Sequence, residues 1–148
     1  MPDWLAILLV LLAVAFGLNP GREDLRWFFS LRRPRWLTFE RWIPLIWLAI
    51  YGCFYASALL AWRAGAGGPV MGLYLLLLVL VQSYTLVIGL TRRLRNGSLV
   101  GALGWGVGVA LAIPVASLSL PAALLLLPYL LWSPVGTFVT WRMQRLNR

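Results

Sequence analysis

Apolar residues dominate this chain in five long stretches, and polar residues gather between them. The apolar runs fall at residues 4–18, 42–62, 70–90, 99–118 and 121–141. A membrane-crossing helix needs about 20 mostly apolar residues, fewer where the helix is short or the bilayer thins. The pattern predicts an all-α integral membrane protein, a five-transmembrane-helix bundle whose first helix is short. The first run opens Met1-Pro2-Asp3. That start is acidic where a cleaved leader is basic, and the run is expected to stay as a helix of the mature chain. The links are uneven. Asn19 to Arg41 is long, Ala64 to Pro69 is short and glycine-rich, Thr91 to Ser98 is basic, and Ser119 to Pro121 almost closes up. One membrane domain over residues 1–148 is expected, with a long first loop, and long links in compact domains are usually functional.

Composition reinforces this reading. Of the 148 residues, 61% are hydrophobic and 11% charged, against about 25% charged in a soluble domain. Too little polar surface exists to coat a soluble enzyme. There is no histidine and one cysteine, Cys53, which excludes histidine-based metal sites, Ser-His-Asp triads and an intrachain disulfide. No metal is expected. The four acids, Asp3, Glu23, Asp24 and Glu40, all lie away from mid-membrane positions, so an acidic proton relay is not visible.

The net charge is +9 and every cation is arginine. In a soluble chain such a charge raises nucleic-acid binding; here the arginines flank apolar helices, and no nucleic-acid partner is expected. With five helices, Arg22, Arg26, Arg32, Arg33, Arg35, Arg41, Arg92, Arg93, Arg95, Arg142, Arg145 and Arg148 fall on one side, and Arg63 alone on the other. The positive-inside rule then places the first loop and the C-terminus in the cytoplasm and the N-terminus outside.

Tryptophan is the strongest residue-type signal, with nine copies. Trp4, Trp62 and Trp141 sit near helix ends, where indoles are stable at the headgroup level. Trp27, Trp36 and Trp42 belong instead to the arginine-rich first loop, beside Phe28, Phe29 and Phe39. A lid over the bundle and a segment lying in the interface both fit that composition. In the second helix Trp47, Tyr51 and Tyr55 recur every four residues, which stacks them on one face. A pocket wall for a flat apolar ligand and ordinary packing both satisfy that spacing. Gly97, Gly101, Gly104 and Gly108 form a small-residue face on the fourth helix. Such a face allows close helix contact in lipid, within a bundle or across a homodimer.

Three stretches, taken together, resemble the TspO/MBR family of tryptophan-rich sensory proteins, related to the mitochondrial translocator protein. Trp27-Phe28-Phe29-Ser30-Leu31-Arg32-Arg33-Pro34-Arg35-Trp36 is similar to the family's W-Y-x-x-L-x-K-P-x-W. Pro44, Trp47 and Tyr51 match P-x-x-W-x-x-x-Y. Pro128-Tyr129-Leu130-Leu131-Trp132, with Arg145-Leu146-Asn147 near the end, matches P-Y-x-x-W and a terminal R-L-N. The resemblance covers nearly the whole chain. It implies a homodimeric bundle with a pocket under the first loop for a porphyrin, sterol or other hydrophobic small molecule, and no required cofactor. Carried over by position, Trp36, Trp47, Tyr51 and Trp132 belong to that pocket, and Tyr55 and Tyr74 join them as ligand-binding candidates. A light-dependent porphyrin turnover, associated with some members, would rest on Trp47 and Trp132. Without histidine, haem iron would depend on Cys53, Met or Tyr. A tetrapyrrole would be held by stacking and shape, with first-loop arginines near its propionates.

The chain also departs from the family. Leu37-Thr38-Phe39 replaces x-P-P, and Leu77, Val81 and Tyr84 stand at the third helix's Gln, Asn and Trp positions, with Thr140 at a fifth-helix Asn. Gln82 is one residue off register, about 100° around the helix. A pocket with fewer polar contacts is expected. A receptor-like binding protein is the leading expectation. The alternatives are a small carrier of hydrophobic molecules, disfavoured by the lack of an internal repeat, and a structural module with no small-molecule ligand.

Overall fold

The computed structural model describes residues 2–148, and among them the secondary structure is entirely helical. α1 (Asp3–Gly17) begins with Asp3, whose Oδ1 accepts the Trp4 N–H at 2.8 Å. α2 (Arg22–Ser30) carries Glu23 and Asp24 in its first turn, where the helix dipole favours negative charge. A 3-10 turn (Glu40–Trp42) leads into α3 (Ile43–Arg63). α4 (Gly68–Thr91) opens on Pro69 and stops at Arg92, which adopts the left-handed conformation at φ 54°. α5 (Leu94–Leu118), the short α6 (Leu120–Leu124) and α7 (Leu127–Leu146) complete the chain.

Four units are long and apolar enough to cross a membrane: Glu40–Arg63, Gly68–Thr91, Leu94–Leu118 and Leu120–Leu146. α1 has 15 residues, roughly 22 Å at 1.5 Å per residue, short of the ~30 Å hydrocarbon core. Only if α1 and α2, bent by 72°, are counted as one unit does a fifth arise. The sequence pattern differs from the structure in two further places. The long first link contains α2 and the 3-10 turn. The apolar run expected at 121–141 is split at Leu125–Leu126, and its second part continues to Leu146. Pro128, in the first turn of α7, has no N–H with which to continue the hydrogen-bond ladder of α6.

α5 packs most extensively on α4 and α7, and α1 lies against α3 and α4. Side chains that would burden a water-soluble protein face outward: Leu48, Leu90, Ile113 and Leu131 are each about 70% exposed. Lipid is as apolar as these side chains, so cohesion falls to close packing and to hydrogen bonds made inside the bundle. Glycines on α5 supply the close packing. A Cβ on Gly108 would stand 2.9 Å from Tyr129 Cε1, and one on Gly104 2.9 Å from the Tyr129 hydroxyl. Gly97 meets Ile88 and Gly101 meets Thr137 in the same way. The glycine face is thus occupied by α4 and α7 of the same chain. Ser57 supplies an internal hydrogen bond: its hydroxyl pairs with Tyr74 at 2.8 Å and reaches the Ala122 carbonyl at 2.7 Å, joining α3, α4 and α6.

Candidate functional site: a cavity beneath the first loop

The first loop folds back over one end of the bundle. Its own sequence makes this possible, because α2 places Leu25, Phe28 and Phe29 toward the helices, and Leu37 follows them inward. Arg33 fastens the loop. Its Nη1 donates to the carbonyls of Phe28 and Leu31, both at 2.7 Å, and its Nε to Glu40 at 3.0 Å. Its guanidinium also lies 4.9 Å from the Phe28 ring centre. Asn147 makes a second fastening. Its amide accepts the Arg32 N–H at 2.8 Å and donates to the Arg32 carbonyl at 3.0 Å, clasping the loop to the end of α7. Arg92 makes the third, bonding Asp24 at 2.9 Å and covering the Trp27 ring at 5.0 Å. Gly89 lets α2 approach α4, since a Cβ there would lie 2.8 Å from the Asp24 Cβ.

Under this cover lies a cavity of about 440 Å³, walled by α3, α4, α5 and α7. That is within the range of about 300–1,000 Å³ typical of small-molecule sites. Trp47, Tyr51 and Trp132 all line it. Trp47 and Tyr51 rings are 6.2 Å apart, and Phe39 of the loop meets Trp132 edge-on at 6.2 Å. Gly101 and Gly104 contribute bare backbone to the wall.

The other three residues named from sequence lie elsewhere. Trp36 stacks on Phe138 at 5.8 Å on the outside of α7, because the turn that sends Leu37 inward sends its neighbour outward. Phe138 stacks in turn on Trp141, and Arg145 lies over Trp141 at 4.7 Å. Tyr55 and Tyr74 line a second cavity toward the opposite end of the bundle. The four-residue spacing of Trp47, Tyr51 and Tyr55 does share a helix face, but that face runs from one cavity to the other.

The polar positions of the wall are linked to one another. Val81 faces the cavity, yet so does Gln82, whose carbonyl oxygen accepts the Tyr51 hydroxyl. The Gln82 amide nitrogen donates to the Ala15 carbonyl at 2.9 Å and to Asn19 at 3.2 Å. Tyr84 and Thr140, two of the departures from the family pattern, hydrogen-bond each other. Thr140 then donates to the Gly136 carbonyl at 3.2 Å. These hydroxyls and this amide are committed to the protein. Trp132 differs: its Nε1 is buried and has no hydrogen-bond partner among the described residues. A buried donor left unpaired costs about 1–3 kcal/mol; this one lies against its own helix, 3.5 Å from where a Cβ on Gly136 would stand, while the ring lines the cavity.

An all-helical membrane protein with a lipophilic cavity under a fastened loop is the class these features define. The chain belongs to the TspO/MBR family, whose model matches residues 5–146. It is 30% identical over 132 residues to the translocator protein of Bos taurus, covering 85% of this chain and 78% of that one. It is 32% identical over 121 residues to translocator protein 2 of Mus musculus (77% and 74%). It is 28% identical over 127 residues to the uncharacterized membrane protein YtaB of Bacillus subtilis (84% and 82%).

Proposed function

We propose that this protein binds a flat hydrophobic molecule, a porphyrin-like tetrapyrrole or a lipid of similar shape, in the cavity beneath the first loop. The observation that carries this reading is the cavity itself, walled by Trp47, Tyr51 and Trp132, in which Tyr51 bonds Gln82 and Tyr84 bonds Thr140. Such a wall favours a ligand with an extended apolar face and few polar groups. Arg33 and Glu40 reach the cavity roof, where the edge of a ligand carrying acidic groups would lie. No cofactor is required for this role, and the output is sensing, sequestration or slow light-dependent turnover of a bound porphyrin.

In the membrane, α1 serves as a fifth, short span. Twelve arginines then gather on the cytoplasmic side, with the cavity roof and the C-terminus, and the N-terminus lies outside. Assembly as a homodimer would use a surface other than the α5 glycine face, which the chain itself fills.

The test is a dark titration with protoporphyrin IX, then illumination. Trp132→Phe keeps an aromatic ring but reduces the stacking surface that lines the cavity; affinity is expected to fall severalfold, about 1 kcal/mol. Trp47→Phe with Trp132→Phe is expected to lose more affinity and any light-driven loss of porphyrin. Unchanged affinity and turnover in both variants would remove these residues from the site. The word "translocator" in the relatives' names favours a carrier as the second reading. Porphyrin flux into sealed proteoliposomes above that of empty vesicles would establish it.

A further inference from the structure

A second cavity, of about 560 Å³, lies between the first half of α1, the last half of α3 and the first half of α4. It is separate from the cavity beneath the loop and shares no lining residue with it. Its rim residues Val10, Trp62 and Leu75 are each nearly half exposed on the flank of the bundle, so it opens sideways, toward the space that lipid chains occupy.

Its chemistry is sorted by depth. The interior offers a ligand no hydrogen bond: the Tyr74 hydroxyl is held by Ser57 at 2.8 Å, and the Tyr55 hydroxyl donates to the Trp4 carbonyl at 3.0 Å. A polar group brought there would lose its water without replacement, which is costly, whereas a hydrocarbon chain loses nothing. The mouth is the opposite. Asp3 lines it and accepts from Arg63 Nε at 3.2 Å, with the arginine side chain 55% exposed. Trp4 and Trp62 flank this level, as indoles do at the membrane interface. Arg63 is also the one arginine at this end of the bundle. Among the described residues, the mouth thus carries one negative and one positive group side by side. A purely anionic headgroup would meet the Asp3 carboxylate and a purely cationic one the guanidinium. A headgroup carrying both charges matches both.

We propose that this cleft holds one acyl chain of a zwitterionic phospholipid, with the headgroup ammonium on Asp3 and its phosphate on Arg63. The site is distinct from the one beneath the loop, and the lipid acts as a resident wedge between α1 and the α3–α4 pair.

Native mass spectrometry of the detergent-purified protein, titrated with dioleoylphosphatidylethanolamine, tests this. The wild-type protein is expected to retain one lipid, and Ala6→Phe and Leu75→Trp, which fill the cleft from two sides, to lower retention by about tenfold or more. Leu103→Phe, on the lipid-facing side of α5, should leave retention unchanged. Dioleoylphosphatidylglycerol, with the same chains and a net negative head, should be held about tenfold less well. That difference should vanish in Asp3→Asn with Arg63→Gln. Undiminished retention in both filled variants overturns the site, and equal retention of the two lipids overturns the headgroup assignment. A loss of dimer mass on filling the cleft would also overturn the proposal, since the occupant would then be a second copy of the chain. The porphyrin titration of Ala6→Phe reports folding independently, because the cavity beneath the loop shares no lining residue with this one.

Discussion

The two cavities of this protein are similar in size and differ in how they are closed. The one beneath the first loop is roofed by a segment that Arg33 braces internally and that is held to the helix ends at two points, by Asn147 with Arg32 and by Arg92 with Asp24. The one against α1 has a single exposed ion pair at its mouth and an open flank. An exposed pair of this kind contributes little. The fastened cavity has two indole rings, Trp47 and Trp132, in its wall, whereas the open one has Trp62 at its exposed rim. An apolar volume alone does not define a selective site. Selectivity comes from what closes the volume and from which side chains line it.

The largest expected effect separates the glycine face of α5 that packs on α7 from the lipid-facing surface of the same helix. Gly108→Leu places side-chain atoms where Tyr129 and Leu130 already sit, at 2.9 and 3.0 Å from the would-be Cβ. Overpacking of this kind costs about 1–3 kcal/mol or more. Thermal unfolding in detergent is expected to shift down, and porphyrin binding to disappear. Gly106→Leu on the same helix meets nothing within 4 Å and should leave both unchanged. An equal loss in the two would mean that α5 is sensitive along its whole surface.

A smaller effect probes the roof. Asn147→Ala removes both bonds to Arg32, each worth about 1 kcal/mol. Hydrogen exchange across Arg32–Phe39 should speed up, and bound porphyrin should leave faster. Lipid retention in the cleft against α1 should stay as it was. If exchange in the loop is unaltered, Arg33 and Arg92 hold the roof without Asn147.

The smallest effect concerns Tyr84 and Thr140. Removing both partners of a hydrogen bond together is close to neutral, whereas removing one leaves the other unsatisfied. Tyr84→Phe and Thr140→Val should therefore cost more singly, summed, than as a pair. The coupling in a double-mutant cycle should be about 0.5–1.5 kcal/mol. Additive losses would mean the two hydroxyls act independently.

The sequence was informative where a single helix decides the outcome. The apolar runs locate the helices, and the four-residue spacing of Trp47 and Tyr51 places both on one face, which lines the covered cavity. It was less informative where two elements decide. Tyr55 continues that spacing but lies a turn further along α3, within reach of α1 and the other cavity. Trp36 carries the motif, but a turn next to Leu37 sends it to the outside of α7. Leu77, Val81 and Thr140 read one at a time as lost polar contacts. Paired in space, Tyr84 bonds Thr140 and Gln82 receives Tyr51, which no linear pattern reveals. The glycine face fitted an intrachain or an intermolecular neighbour equally well from spacing, and Tyr129 and Thr137 of α7 now occupy it.

The central claim is that the fastened cavity, not the open one, takes the flat ligand. The direct measurement is a dark titration of protoporphyrin IX, followed by its own visible absorption band so that lost tryptophans do not alter the readout. It compares the wild-type protein with Val81→Phe, which fills the covered cavity, and Ala6→Phe, which fills the open one. The account predicts a saturable shift in wild type, the same shift in Ala6→Phe, and at least about a tenfold loss of affinity in Val81→Phe. Loss in Ala6→Phe with full binding in Val81→Phe would contradict it and move the ligand to the cleft against α1.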